Sequence, residues 1–141
     1  MNLYLTKGEF RNWYMSTYIS AVRFLNRTPS IRYGLSVTNN YFMVNTNTGK
    51  TAIAKLHPKD KFIYELGVAV AYSKYVGKPI PKIVETVSPS DIKIGDVVVF
   101  SDYEYTYCGH MDGQYRFAEV GTDKIVKSVQ SYTGITFRKL V

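Results

Sequence analysis

Cys108, His110 and Asp112 alternate along one stretch, Cys108-Gly109-His110-Met111-Asp112-Gly113, and a second imidazole stands at His57. A thiol beside an imidazole is what nucleophilic acyl transfer requires, because the base raises the thiolate fraction and a third group orients the base. The spacing points away from that chemistry. On a strand running into an Asp-Gly turn, Cys108 shares a face with Glu104 and Thr106, opposite the tyrosines, and Asp112 falls at the exposed tip. One cysteine and two histidines are also too few for a closed zinc site without carboxylate help. We therefore expect no catalytic residue, no metal and no cofactor, and His57 reads as a residue at a helix entrance.

The other stretch with a chemical flavour is Asn47-Thr48-Gly49-Lys50-Thr51. Its Gly-Lys-Thr triplet is that of a phosphate loop, but the upstream glycine is missing and a strand-like run follows where a helix is required.

Charge carries more. The chain has a formal net charge of +7. Residues 1–82 hold 12 Lys and Arg against 3 Asp and Glu, whereas residues 83–141 hold 6 against 8. A basic half in an otherwise balanced chain points to a polyanionic partner. Arg11, Arg23 and Arg27 from a first helix, with Lys50, Lys55, Lys59 and Lys61 around the entrance of a second, are the nucleic-acid-binding set. Nothing in that set implies base readout, so recognition is expected to be led by shape and phosphates. Tyr103, Tyr105 and Tyr107 line one face of one strand. They are the partner-binding candidates, since such a stripe can stack bases, although tyrosine is also simply a good strand former with a large apolar body.

The elements that must position these side chains can be read from periodicity and punctuation. Thr6-Lys7-Gly8-Glu9 has the form of a capping box, with Leu5 and Phe10 placed as a hydrophobic staple. Phe10, Trp13, Tyr14, Thr17, Ala21, Phe24 and Leu25 then follow helical spacing, which predicts a helix from about Lys7 to Asn26, ended before Pro29. Ile31 to Val37 alternates as a strand, Asn39-Asn40 suits a two-residue hairpin turn, and Tyr41–Asn45 and Thr51–Leu56 follow as strands. Pro58 is placed to start the second helix, with Asp60 in its first turn and Gly77-Lys78-Pro79 to stop it. That helix is apolar nearly all round, so it should be central, and Gly67 within it marks a close backbone approach.

Beyond the stiff connector Lys78–Pro81, Lys82 to Val87 reads as a possible further strand. Ile92–Phe100, Tyr103–Gly109, Gln114–Val120, Lys124–Gln130 and Ile135–Leu140 read as five short strands at close spacing, the signature of a small barrel. The expected fold is α+β: a basic α-β-β-β-α module over residues 1–81 and a five-stranded β-barrel over residues 82–141.

The α-β-β-β-α order is similar to that of double-stranded RNA-binding domains, which carry basic residues at the start of their last helix, where Lys55, Lys59 and Lys61 stand here. The first hairpin of that family has a longer loop than Asn39-Asn40 would give. The run AKLHPKDKFIYELGVAVAYSKYVGK resembles a helix motif of small phage-encoded accessory proteins, matched at Lys55, Pro58, Asp60, Phe62, Gly67 and Ala71. The stretch from Asp91 to Val97 and the strands after it resemble SH3-like or KOW-like barrels, which bind peptides or nucleic acid.

Other classes are set aside by composition. At 45% hydrophobic and 21% charged residues the chain can fold around a core. No apolar run approaches the roughly 18 residues that span a bilayer, and the N-terminus lacks the pattern of a signal peptide. Membrane association is therefore not expected, and a lone Cys108 suits a reducing cytoplasm. The expectation is a non-catalytic binding protein whose partner is nucleic acid or a host nucleoprotein complex. The alternative is a protein–protein inhibitor of a host enzyme or defence system, and a cysteine-dependent hydrolase stands third.

Overall fold

A computed structural model of the chain describes residues 3–36, 38, 40–55 and 63–141. The elements run β1 (Tyr4–Leu5), α1 (Lys7–Arg27), β2 (Ile31–Leu35), β3 (Tyr41–Asn45), β4 (Thr51–Ala54), α2 (Tyr64–Val76), β5 (Lys82–Val87), β6 (Val97–Phe100), β7 (Tyr103–Met111), β8 (Gln114–Glu119), β9 (Ile125–Gln130) and β10 (Phe137–Leu140). This is an α+β chain in two compact units. One is Gly8–Pro81; the other joins Lys82–Val141 to Met1–Lys7. No helix among the described residues is long and apolar enough to cross a membrane.

The helix–sheet unit packs both helices on β2-β3-β4, an antiparallel meander. Alternation along the strands sends Ile31, Tyr41, Met43, Ala52 and Ala54 to the covered face, where they meet Ala21 of α1 and Val68, Ala71, Tyr72 and Tyr75 of α2. The two helices run the same way along the sheet. Tyr18 meets Tyr64 near the start of α2, and Phe24 meets Tyr72 and Tyr75 near its end, with ring centroids 5.5–6.0 Å apart.

Gly67 is what lets α2 settle so low. The Tyr41 ring, 2% exposed, lies flat against the helix at that point, and a Cβ on residue 67 would fall inside it. The predicted close approach is thus a glycine seated on an aromatic plate. Gly77 ends the helix in the left-handed region at φ 76°. The Gly77 and Lys78 N–H groups both donate to the Ser73 carbonyl, the 5→1 bond of a left-handed cap and the 6→1 bond of a Schellman closure, which glycine permits.

Two expectations about this unit are corrected. The second helix does not begin at Pro58. Ile63, at φ −122° and ψ 111°, is extended and caps a helix that opens at Tyr64. His57, Pro58, Lys59, Asp60, Lys61 and Phe62 lie outside the described residues. The first hairpin also closes on Ser36 and Asn40, the Ser36 N–H donating to the Asn40 carbonyl at 2.8 Å. Asn40 therefore belongs to a closing pair with Ser36, and Asn39, the other half of the turn read from the sequence, lies outside the described residues.

The sheet unit is a seven-stranded sheet in the order β1-β5-β10-β6-β7-β8-β9. The five strands read from the sequence are joined by β5 and by β1, whose residues 4 and 5 pair parallel with Lys82 and Ile83. No sequence signal marks so short a strand. One face carries Val98, Tyr107, Tyr115, Phe117 and Phe137, packed with Ile92 and Ile135.

No second layer contributes to that core cluster; the sheet rolls over on itself. Strands β8 and β10 have β6 and β7 between them, which would part them by about 14 Å in a flat sheet. Yet Tyr115 and Phe137 have ring centroids 5.2 Å apart, and Phe117 and Phe137 5.6 Å. Only a strongly coiled sheet brings those rings together.

Candidate functional site

Of the seven cations read as a nucleic-acid-binding set, five are among the described residues, and those five do not lie together at one end of the helix–sheet unit. Lys59 and Lys61 lie outside the described residues. The other five divide between the two ends of the helix–sheet unit. Along α1, Arg23 and Arg27 are one turn apart, whereas Arg11 lies about 18 Å further up the axis and about 120° round from Arg23. Lys50 and Lys55 flank β4 and are parted by about 17 Å of extended chain.

The end where α1 and α2 finish is the richer one. Lys50 places its ammonium 4.5 Å from the centre of the Tyr75 ring, and Lys78, which the sequence reading passed over, stands 5.8 Å from that of Tyr72. Phe24 touches both rings, so the α1 terminus that bears Arg23 and Arg27 belongs to the same aromatic-floored end. Arg27 donates from Nε to the Arg23 carbonyl at 3.3 Å. Cations there are also favoured by the negative ends of both helices. The signal for Lys78 was available in the sequence, since it follows the helix-stopping glycine.

The unit is rich in cations and poor in carboxylates. Residues 8–81 hold ten Lys and Arg and three Asp and Glu, a net +7, while the sheet unit holds eight of each. Among the described residues no carboxylate lies within 4.0 Å of Arg11, Arg23, Arg27, Lys50, Lys55 or Lys78. The ion pairs found are all in the sheet unit: Lys82–Glu104 at 2.7 Å, Lys139–Asp96 at 3.3 Å, Arg116–Asp112 at 3.7 Å and Lys139–Glu85 at 3.9 Å.

The tyrosine stripe separates by depth. Tyr103 is 68% exposed, Tyr105 is half-buried, and Tyr107 is 6% exposed within the core. All three lie on the inner face of the rolled sheet, where Lys127 sits over Phe100 at 4.9 Å and Tyr105 at 6.0 Å. Tyr107 therefore serves packing, and of the three only Tyr103 offers a free ring.

Cys108 falls at a β-bulge. Tyr107 pairs with Phe117 and Gly109 with Arg116, so Cys108 is the extra residue on β7. It keeps a contact of 3.5 Å from Sγ to the Thr106 carbonyl. His110 instead lays its ring 4.5 Å from that of Tyr115, and Asp112, at φ 54°, sits in the turn with Gly113 at φ 73°. Positive φ at both positions is the type I′ geometry that Asp-Gly favours. Among the described residues no hydrogen bond links Cys108, His110 and Asp112, and no three His, Cys, Asp or Glu side chains gather as metal ligands do. The Gly49-Lys50 triplet is a hairpin turn, in which the Asn45 side chain accepts from the N–H groups of Asn47 and Thr48.

No protein-family model, no curated protein and no solved structure matches the chain.

Proposed function

We propose that the protein is a non-catalytic binder of nucleic acid or of a nucleoprotein complex, and that the end of the helix–sheet unit bearing Arg23, Arg27, Lys50 and Lys78 makes the contact. The observation that supports this reading is the contrast in charge: the cations of this unit stand without carboxylate partners among the described residues, whereas the sheet unit holds equal numbers of cations and carboxylates and pairs Lys82, Arg116 and Lys139 with carboxylates. Unpaired cations on a rigid, aromatic-floored end are what a phosphate backbone displaces counterions from. The aromatic rings beneath Lys50 and Lys78 are themselves buried, so they hold the ammonium groups in place and do not stack bases. The likeness of residues 54–78 to small phage-encoded proteins supports a setting in a host cytoplasm, as an accessory factor of infection.

A salt titration with plain duplex RNA and plain duplex DNA tests the reading. Four phosphate contacts give a slope of about −3.6 in log affinity against log salt. Lys50→Glu with Arg27→Glu should flatten that slope by about 2. Failure to bind either duplex at low salt would overturn the proposal and direct the search to a protein target, as an inhibitor of a host enzyme or defence system.

A further inference from the structure

The bulge at Cys108 has a twin. Phe117 pairs with Lys127 and Ala118 with Ile125, so Val126 is an extra residue on β9 just as Cys108 is on β7. Both irregularities adjoin Phe117, one on each side of β8. Bulges increase local twist and bend the strands that carry them. A cleft of about 350 Å³ borders them, walled by Ile94, Met111, Ile125, Cys108 and Arg116, and the β7 bulge residue Cys108 is one of its walls. No sequence pattern announces it.

The lining is unusual for a surface that only meets water. Ile94 is 74% exposed, Met111 58% and Ile125 45%, three large apolar side chains around one hollow. Ligand sites combine such walls with a few convergent polar groups. The polar group here is the Arg116 guanidinium. Its one ionic neighbour is Asp112 at 3.7 Å, an 83%-exposed side chain beyond hydrogen-bonding reach. Among the described residues none of the Arg116 donors meets an acceptor.

We propose that this cleft binds a small aliphatic carboxylate, its chain on Ile94, Met111 and Ile125 and its carboxylate on Arg116. The planar fork of a guanidinium matches a carboxylate through two parallel hydrogen bonds. A single guanidinium with Asp112 at its rim favours a monoanion over a phosphate dianion, which would meet the Asp112 charge uncompensated. The volume lies at the low end of the roughly 300–1,000 Å³ typical of ligand sites, which limits the ligand to a short chain. This site is independent of the nucleic-acid reading and lies wholly within the sheet unit.

Cys108 is the chain's one cysteine and lines the cleft, so its thiol reports occupancy without a label being introduced. The experiment is the rate of Cys108 alkylation by uncharged iodoacetamide, with butyrate, hexanoate or octanoate added, against the matching alcohols. Saturable slowing by the carboxylates and not by the alcohols is expected. Arg116→Gln should raise the half-protecting concentration about tenfold or more. Ile94→Asp, at a position too exposed to matter for folding, should do the same by placing a negative charge on the wall. Absence of protection up to about 10 mM, a concentration at which even weak sites fill, would overturn the proposal. So would equal protection by the alcohols, or protection that survives Ile94→Asp.

Discussion

The two units of this chain solve the same problem in opposite ways. The helix–sheet unit covers a small meander with two helices, and its cations stand in solvent or over rings. The sheet unit has no helix among the described residues of its core cluster; it closes its apolar face by coiling, and it ties Lys82, Arg116 and Lys139, three of its eight cations, to carboxylates. Lys139 alone bridges Glu85 and Asp96, and Glu104 receives both the Lys82 ammonium and the Tyr4 hydroxyl at 2.7 Å. In the sheet unit, charge holds strands together. In the helix–sheet unit no cation has a carboxylate within 4.0 Å among the described residues.

The largest test of that contrast lies in the cores. Phe117 is fully buried and meets the rings of Phe100, Tyr107 and Phe137. Phe117→Ala should cost the sheet unit about 3–5 kcal/mol, since a self-coiled sheet has no second layer to settle into the cavity. Gly67→Ala attacks the other unit by overpacking, forcing a methyl into the Tyr41 ring. That costs about 1–3 kcal/mol, from which better helix propensity recovers about 1 kcal/mol. Trp13, the chain's one tryptophan, reads the helix–sheet unit in a denaturant titration, and amide signals of β6–β8 read the sheet unit. A Gly67→Ala protein as stable as the parent would remove the close-approach account of α2.

Local signals were legible in the sequence and long-range ones were not. The Gly77 stop, the Asp112-Gly113 turn and the helical face of α1 depend on residues within a few positions of one another, and the structure shows each of them. The seating of α2 on the Tyr41 ring at Gly67 joins residues 26 positions apart, and local punctuation reports the glycine but not its partner. The same holds for β1, whose two residues owe their strand to Lys82 and Ile83. Among the described residues the cation set is spread over both ends of its unit because membership was read from sequence proximity, while Lys50 and Lys78 are gathered by the Tyr75 and Tyr72 rings of α2. The cleft was invisible because a bulge is a disagreement between two registers and exists in neither strand alone.

Acid should separate the units next. The Glu104 carboxyl is held below its usual range by the Lys82 hydrogen bond first and the Tyr4 hydroxyl second, against burial. Asp96 is lowered by the Lys93 N–H at 2.9 Å, against burial and with help from Lys139. A carboxyl with a lowered native pKa stabilises the fold above its unfolded pKa of about 4, and that contribution is lost as pH falls through the lower native value. Only three carboxylates belong to residues 8–81, so acid loss should concentrate in the sheet unit. Glu104→Gln should cost about 1 kcal/mol at pH 7, and its gap from the parent should narrow as pH falls below about 4. A gap in melting temperature that stays constant from pH 7 to about pH 3 would show that Glu104 acts through packing and not through charge.

The smallest effect bears most directly on function, because Lys50 has two readings. It either caps the Tyr75 ring, a cation–π contact worth about 0.5–1 kcal/mol, or it presents a charge to phosphate. Lys50→Met keeps the apolar stem over the ring and removes the ammonium. Arg23→Gln removes an exposed cation that touches no ring among the described residues. If both side chains contact phosphate, each variant flattens the salt slope by about 1, while only Lys50→Met lowers the denaturation midpoint seen by Trp13. A Lys50→Met protein that is less stable but keeps its full slope would make Lys50 a ring cap, and the interface would then have to rest on Arg23, Arg27 and Lys78.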